Sequence, residues 1–336
     1  MLKIKLNLQL LATQVTTQDS LSAEMKTFYD MTLIDEASAN LVHDQFGQKR
    51  PIPSGGGKTI EFRKFSPLAK ATTPITEGVT PAGKDLTVTA ITATVNQYGD
   101  FIVQSDILEL TALDNTILEA TKLLGKQAGA TLDTVVRDVM QSGTNVTYCP
   151  KIAADGTETA VTSRASLDAT CKLTVDVVQQ VVAKLRAQNA PTINGKYVAI
   201  IHPYVAYDIM RDPEWIDAHK YTNPTNLYEG EIGEIAGVRF VQTTEAKIYK
   251  GEGCPEGLAV FGSLFLGENA YGVTEITGGG LQTIVKQKGS AGTGDPLDQR
   301  SSVGWKAIKT AEILVQNYLV RVESCSPRFS ATAAAN

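Results

Sequence analysis

One stretch of the sequence has the residue types of a phosphate-binding loop, Ser54-Gly-Gly-Gly-Lys-Thr59. A P-loop needs G-x-x-x-x-G-K-S/T between a strand and a helix, because backbone N–H groups and the helix N-terminus hold the phosphates. Gly57, Lys58 and Thr59 match the end of that pattern, but Ile52 stands where its first glycine belongs. The following residues alternate like a strand, and no strand precedes them. The stretch therefore predicts a flexible hinge, and a nucleotide-using enzyme is kept only as an alternative.

The other residues that could do chemistry are scattered along the chain: His43, His202, His219, Cys149, Cys171, Cys254 and Cys325. No histidine has a second ligand at metal-binding spacing, and no two cysteines form a C-x-x-C pair. The pattern predicts four reduced thiols made in a cytosol, although an approach of Cys149 to Cys171 across a hairpin stays open. No carboxylate is singled out by its neighbours. The sequence therefore predicts no catalytic, cofactor-binding or metal-binding residue.

Length and composition describe an ordered globular protein. The chain has 336 residues, 43 % of them hydrophobic, and a net charge of −5. The negative charge disfavours a protein whose main task is binding nucleic acid. No apolar run is long enough to cross a membrane. Residues Met1 to Leu11 alternate apolar and polar side chains, which predicts an extended arm able to add to a neighbour's sheet rather than a signal peptide.

A long amphipathic helix is predicted from Asp114 to Gln141. Apolar residues recur at steps of three and four, and they are Ile117, Ala120, Leu124, Ala128, Leu132, Val135 and Val139. Asp114 is a suitable N-cap and Gly143 a suitable stop. We expect Leu124, Leu132, Val135 and Val139 to form its core face. The charged residues Lys122, Lys126 and Arg137 are expected on its outer face.

A long two-stranded ribbon is predicted over Lys58 to Val103. Thr59–Phe65 alternates, Leu86–Val95 returns with β-branched residues, and Ser66–Asp85 connects them. A connection of this length is uncommon inside a compact domain. A lone half-apolar ribbon is marginal in water. We therefore expect the ribbon to find no home within its own molecule and to be covered by a neighbouring subunit.

The rest of the chain reads as an α+β protein. A Thr/Gln-rich link over 12–19 precedes a helix from Ser22 to about Asp44, and Asp155-Gly156 predicts a hairpin turn. Helices are predicted at Thr174–Ala187, with Thr174 as N-cap, and at Pro203–Met210. Strands are predicted at Tyr197–Ile201, Gly233–Val241, Leu258–Leu266, Leu281–Val285, Val303–Ile308 and Glu312–Val322. Arg211–Glu231 is expected to be polar and irregular, and residues 329–336 to be a disordered tail.

The order of these parts resembles the major capsid proteins of tailed bacteriophages with the Hong Kong ninety-seven fold. Two phrases resemble the "N-four type" podophage family: Phe46-Gly-Gln-Lys-Arg-Pro51 with Lys58-Thr-Ile-Glu-Phe-Arg-Lys-Phe-Ser-Pro67, and Asp295-Pro-Leu-Asp-Gln-Arg300 with Val303-Gly-Trp-Lys306. The start Asn7-Leu-Gln-Leu-Leu-Ala12 is similar to that of many phage shell proteins. The likeness covers roughly residues 20–328.

The resemblance implies a phage major capsid fold divided into an N-terminal arm (1–54), an extended loop (55–103), a peripheral domain built on the spine helix (104–172 and 281–328) and a mixed α/β axial domain (173–280). It implies intersubunit contacts by the extended loop, for which we select Arg63, Lys64, Lys70, Glu77 and Lys84. The implied function is a non-enzymatic shell protein that forms pentamers and hexamers of an icosahedral virion enclosing double-stranded DNA. It would assemble in the bacterial host cytoplasm.

Its implied partners are other copies of itself, a separate scaffolding protein, a portal and possible decoration proteins. Contact with the packaged DNA would be weak and non-specific, because the net charge is negative. An encapsulin-like nanocompartment shell has the same fold and is the first alternative.

Overall fold

The computed structural model describes residues 31–37, 41–65, 68–75, 77–80, 83–111, 116–153, 155–219, 233–290 and 295–336. The chain divides into two compact units. The smaller unit comprises Met1–Ala37, Gly99–Ala128 and Leu281–Lys306, and the larger unit comprises Ser38–Tyr98, Gly129–Gly280 and Ala307–Asn336. The predicted arm at 1–11 and link at 12–19 lie outside the described residues.

The predicted mixture of helices and strands is confirmed. The described helices are α1 (31–37), α2 (Asp106–Thr111), α3 (Thr116–Gln141), α4 (Val175–Ala187), α5 (Pro203–Met210) and α6 (Pro213–His219). The described strands are β1 (Gln48–Lys49), β2 (Thr59–Phe65), β3 (Val88–Thr94), β4 (Asn96–Ser105), β5 (Val146–Tyr148), β6 (Lys151–Ile152), β7 (Glu158–Thr159), β8 (Tyr197–Ile201), β9 (Glu234–Ile235), β10 (Val238–Gln242), β11 (Ile248–Tyr249), β12 (Val260–Leu266), β13 (Tyr271–Thr274), β14 (Gln282–Lys286), β15 (Arg300–Ile313) and β16 (Leu319–Ser324). The body of the predicted long helix is α3, whereas its expected N-cap, Asp114, lies outside the described residues.

A sheet with strand order β5-β16-β12-β8-β10-β9 forms the centre of the larger unit, and β11 pairs with β12. Strand β8 alternates between two apolar clusters, as a strand covered on both faces must. Ala199 and Ile201 belong to the cluster that contains Val178 of α4. Val198 and Ile200 belong to the cluster that contains Val136 and Met140 of α3. The sheet is therefore covered by α4 on one face and by the C-terminal part of α3 on the other.

Helix α4 forms where the sequence predicts it. The Thr174 side chain accepts a hydrogen bond from the Val177 backbone N–H at 3.4 Å, which caps the first turn. Asp176 lies in the first turn, and Lys184 and Arg186 lie in the last. These charges oppose the helix dipole at both ends and stabilise the helix.

The ribbon is a separate two-stranded sheet of the larger unit. Strands β2 and β3 pair antiparallel from Thr59 opposite Thr94 to Phe65 opposite Val88. The first strand has the predicted bounds, and the second begins two residues after the predicted Leu86.

In the smaller unit, α1 packs against the N-terminal half of α3. A Cβ at Gly125 would lie 2.9 Å from the Leu33 carbonyl oxygen, so this close approach requires glycine. Strand β14 pairs with residues Ser302–Lys306 of β15, and β4 also pairs with β15. A Cβ at Gly304 would lie 2.9 Å from the Asp100 carbonyl oxygen, which explains glycine on this strand as well.

Several predicted elements are wrong in extent. The helix predicted to reach Asp44 does not include residues 41–44, which are loop and turn. The two strands predicted over Val303–Ile308 and Glu312–Val322 are instead the single strand β15 followed by β16. Strand β4 and helix α6 were not predicted, because neither segment has a regular apolar period.

The predicted disordered tail is also wrong. Ser330 is fully buried and Ala333 is 6 % exposed. The Asn336 side chain accepts a hydrogen bond from the Ile248 backbone N–H at 2.9 Å and donates one to the Ala246 carbonyl at 2.9 Å. The small polar tail is ordered because it finds backbone partners beside strand β11.

Candidate intersubunit surface

The distal part of the ribbon exposes large apolar side chains to solvent. Their exposed fractions range from 46 % to 76 %, and the residues are Phe65, Leu68, Ile75, Val79, Leu86 and Val88. Exposed apolar residues that occur singly are ordinary, but a concentration of this kind marks a contact surface. The two-stranded ribbon supplies no core of its own to cover them.

The base of the ribbon, in contrast, packs on its own molecule. Phe62 is only 3 % exposed, and Ala93 and Val95 are buried beside it on the return strand. A Cβ at Gly272 would lie 2.8 Å from the Phe62 ring, so the ring occupies the space that a side chain at 272 would take. The expectation that the whole ribbon has no home within its own molecule is therefore wrong for the base. It holds for the distal part of the described ribbon.

The five predicted contact residues of the ribbon, Arg63, Lys64, Lys70, Glu77 and Lys84, are all exposed. Arg63 lies 3.7 Å from the Glu61 carboxylate, in an open pair that adds little stability. Lys84 donates to the Ala69 carbonyl at 3.1 Å and so ties the two sides of the connection together. These side chains are accessible to a second molecule, and their part in a contact stays a prediction.

The smaller unit also exposes large apolar side chains. Its exposed members are Phe101, Val103, Ile107, Leu108, Leu123 and Leu297, with exposed fractions between 47 % and 75 %. A cavity of about 350 Å³ opens beside Phe101 and is also lined by Asp100, Ile284 and Trp305. The Gln127 side chain donates to the Asp100 carboxylate at 2.7 Å and accepts from the Trp305 indole at 3.3 Å. The first of these bonds holds the pKa of Asp100 below its usual range, so Asp100 is an anion at neutral pH.

The predicted core face of α3 is right near its middle and shifted near its end. Leu124 and Leu132 are 2 % and 4 % exposed. Val135 and Val139 are only half-buried, whereas Val136 and Met140 are fully buried: both have 0 % exposure. The buried stripe is therefore shifted by one residue, and the helix also buries a row of polar side chains.

That polar row comprises Asp133, Arg137 and Gln141, spaced four residues apart and nearly fully buried. Arg137, which we expected on the outer face, is 2 % exposed and donates to the Glu245 carbonyl at 2.8 Å and to the Asp138 carboxylate at 3.0 Å. A periodicity based on apolar residues cannot detect such a row, since every member is polar.

Asp133 organises a turn that precedes the ribbon. Its carboxylate accepts hydrogen bonds from the backbone N–H groups of Val42 and His43 at 2.9 and 2.7 Å. Its second oxygen lies 2.6 Å from His43 Nδ1, and both side chains are fully buried. The Tyr271 hydroxyl donates to the His43 carbonyl. Sequence reasoning missed this pairing because the two residues are far apart in the chain.

A second buried ionic network surrounds Glu323 on β16. Its carboxylate accepts from Arg164 at 2.6 and 2.7 Å, and it lies 2.9 Å from Arg321 Nε. The Arg164 guanidinium also lies over the Tyr249 ring, 3.7 Å from its centroid. Hydrogen bonding to Glu323 raises the pKa of Arg164. The network joins β16 to the segment at Arg164 and to β11.

The P-loop-like stretch lacks the geometry that phosphate binding needs. Gly55 and Gly57 have positive φ angles of 83° and 87°, and they form a turn. Lys58 and Thr59 lead directly into β2, so no helix N-terminus follows the glycines. This geometry argues against a nucleotide site, and the flexible hinge stays a prediction.

Four other candidate groups are buried within the fold. His202 Nδ1 accepts from the Tyr204 backbone N–H at 3.1 Å and caps α5, and burial lowers the pKa of His202 to about 4. Cys149, Cys171 and Cys325 are buried free thiols, and burial raises the pKa of each, which makes them poor nucleophiles. Within the described ranges, no group of three or more His, Cys, Asp or Glu residues is placed to hold a metal ion. No helix in the same ranges has the length and apolarity of a membrane span.

Comparison with known proteins identifies the class of this architecture. A family model described as "Phage capsid protein" matches residues 12–289. The chain therefore belongs to the phage capsid protein family, and its place is in the virion shell. A search of curated proteins finds no match.

Solved structures share the fold at low sequence identity. The capsid of cyanophage P-SCSP1u is similar with a TM-score of 0.64 and 13 % identity, over 85 % of this chain and 88 % of that one. The capsid of Ralstonia phage GP4 is similar with a TM-score of 0.63 and 14 % identity, over 85 % and 88 %. A virus-like particle from Pyrococcus furiosus is similar with a TM-score of 0.50 and 11 % identity, over 89 % and 100 %. The family match favours a phage shell over an encapsulin-like compartment.

Proposed function

We propose that the chain is the major capsid protein of a tailed phage and self-assembles into pentamers and hexamers of an icosahedral shell around double-stranded DNA. The observation that carries the proposal is the ribbon, which is anchored at Phe62 but exposes six large apolar side chains beyond it. Burying such a surface on a second copy removes apolar area from water, at roughly 25 cal/mol per Å². Because each copy gives and receives the same contact, the association closes into rings when its rotation allows.

The charged residues of the distal ribbon would set the register of this contact. Arg63, Lys64, Lys70, Glu77 and Lys84 are exposed around the apolar side chains, as polar rim residues are in many interfaces. Many such contacts in one shell add through multivalency, so each can be modest. The same proposal includes the domain limits and the "N-four type" assignment that the resemblance implies. It also includes a scaffolding protein, a portal and a decoration protein as partners.

Deleting 66–85 tests the proposal, because these residues lie beyond the packed base. The variant should remain a folded subunit by circular dichroism and should form no rings or shells by electron microscopy. A matched control replaces the same residues by a flexible Gly/Ser segment of equal length, which restores the connection but not its contacts and should also fail to assemble. If the deletion unfolds the chain, or if either variant still forms shells, the proposed role of the ribbon is wrong.

The two alternatives predict different results. A nanocompartment would enclose cargo protein instead of DNA inside native particles. An enzyme built on Ser54–Thr59 would bind ATP or GTP, and Lys58→Ala would abolish that binding. The strand that follows Lys58 argues against the second alternative.

A further inference from the structure

A cation–aromatic surface lies on the larger unit where α5 meets the segment after β16. We call it the Tyr207 patch, and it consists of Lys172, Tyr204, Tyr207, Arg211, Arg328 and Phe329. The guanidinium carbons of Arg211 and Arg328 lie 5.6 and 5.8 Å from the centroid of the Tyr207 ring. Arg211 also donates to the Tyr207 hydroxyl at 3.2 Å. Two arginines distant in sequence therefore converge on one ring, and both are exposed.

The rings beneath the arginines are held in place by one another. Tyr204 stacks on Phe329 with centroids 4.3 Å apart and planes at 12°. Tyr207 meets the same Phe329 edge-on at 5.5 Å. Tyr204 also packs edge-on against Phe261 of the central sheet, at 6.1 Å. A guanidinium resting on a fixed ring loses less freedom when it binds a ligand than one on a free side chain.

The patch carries more positive than negative charge. The carboxyl of Asp208 lies below it, is 9 % exposed and hydrogen-bonds Ser326. Burial raises the pKa of Asp208, while the charges of Lys172, Arg328 and Arg211 act in the opposite direction. Three cations therefore lie around one buried carboxyl, in a chain whose net charge is −5.

We propose that the Tyr207 patch binds the phosphate backbone of double-stranded DNA. The inference rests on the proposed function, since double-stranded DNA is the phosphate polymer that the proposed shell encloses. Arg, Lys and Tyr side chains are regular donors to phosphate oxygens, and such contacts position DNA without reading its sequence. The patch presents Arg and Lys donors together, and the Tyr207 ring supports the two guanidiniums. The expected weak, non-specific contact follows from the net charge, which averages over the whole chain and does not describe a local surface.

Binding of a fluorescent 20-bp duplex to the full-length, unassembled protein tests the proposal by anisotropy over a salt series. Each phosphate-bound cation contributes roughly 0.9 to the slope of log K against log salt. The Arg211→Gln/Arg328→Gln variant should therefore lower the slope by about 2 and weaken binding at low salt. A matched control, Lys286→Gln/Lys306→Gln, removes two exposed cations from β14 and β15 and should leave the slope nearly unchanged.

Substitutions at Tyr207 test whether the ring matters beyond net charge. Tyr207→Leu keeps every charge but removes the ring that supports both guanidiniums, and it should weaken binding severalfold. Tyr207→Phe keeps the ring and should bind within about twofold of the original chain. Circular dichroism of each variant shows that the fold is intact, and Lys172→Gln, with an expected slope loss of about 1, serves if a Tyr207 variant misfolds.

Three results would overturn the assignment. They are an absence of duplex binding, equal losses in the patch and control variants, and tighter binding of polyglutamate than of the duplex at equal charge, which would indicate an acidic protein partner instead. Shell formation by electron microscopy is scored separately. Shells without patch-dependent DNA binding would refute this inference and leave the proposed function intact. Patch-dependent DNA binding without shells would support this inference and refute the proposed function.

Discussion

Replacing Glu323 by Gln is expected to lower the free energy of unfolding of the larger unit. Glu323 is fully buried, accepts two hydrogen bonds from Arg164 and forms an ion pair with Arg321. The amide has nearly the same shape as the carboxylate, so the substitution tests charge and hydrogen bonding rather than packing. One of its two polar atoms becomes a donor that faces guanidinium donors.

The magnitude follows from how deeply the ions are buried. Removing one partner of a buried ion pair costs about 3–5 kcal/mol, because the other charge stays desolvated. The side chain of Arg164 is 25 % exposed and that of Arg321 is 12 % exposed, so water screens part of the loss. We therefore expect a cost of about 2–4 kcal/mol.

Urea unfolding followed by tryptophan fluorescence measures this cost. The chain has two tryptophans, Trp215 in the larger unit and Trp305 in the smaller one. A Trp305→Phe background leaves Trp215, which is 5 % exposed, as the reporter of the larger unit. The midpoint should fall with an unchanged slope, as expected for a change in stability alone.

Glu234→Gln provides the matched control in the same unit. Its carboxylate pairs with Lys196, but both side chains are about 45 % exposed, and exposed pairs contribute about 0–1 kcal/mol. Similar small shifts for both variants would show that the Glu323 network does not stabilise the unit and that the reasoning from burial is wrong.

Three further outcomes are expected. Leu124→Ala should lower the free energy of unfolding in urea by about 2–5 kcal/mol. Leu123 is 62 % exposed, so Leu123→Ala should change it by less than about 0.5 kcal/mol. Equal costs for the two variants would contradict the observed core face. Burial lowers the pKa of His202 from 6.5 to about 4, so the unfolded chain binds a proton at a higher pH than the folded chain does. The free energy of unfolding should therefore fall by about 1–3 kcal/mol as the pH drops from 6.5 toward about 4. His202→Asn keeps an acceptor for the helix cap and should flatten that fall in melting curves recorded at several pH values. Asn336→Ala removes the acceptor of the Ile248 backbone N–H and should lower the free energy of unfolding by about 1–2 kcal/mol. Hydrogen exchange at the Ile248 amide should become faster, and an unchanged rate would refute an ordered tail.

The sequence predicts local elements well where pattern and cap agree. Helix α4 has its apolar period and its Thr174 cap, and strand β8 and helix α5 have the predicted bounds. Strand β2 is also right, because a single alternating run lies between glycines and a proline-rich connection. These features depend on neighbours in sequence, which a single chain displays directly.

Long-range polar contacts could not be predicted. His43 meets Asp133 and Arg164 meets Glu323 only after folding, and a single sequence carries no signal for such pairs. Arg137 was expected on the outer face of α3 and is buried instead, and this too depends on contacts with residues distant in the chain. The exposed distal ribbon was predictable, since its pattern cannot bury itself, but its Phe62 anchor depends on the space left by Gly272.

That anchor ties two distant positions to each other in evolution. The Phe62 ring lies where a side chain at position 272 would stand, 2.8 Å from its Cβ. Any residue larger than glycine at 272 must be accompanied by a smaller one at 62, or the ribbon must leave the molecule at a different angle. Related chains should accordingly vary at these two positions together, and the direction in which the ribbon projects should follow the pair rather than the ribbon's own sequence.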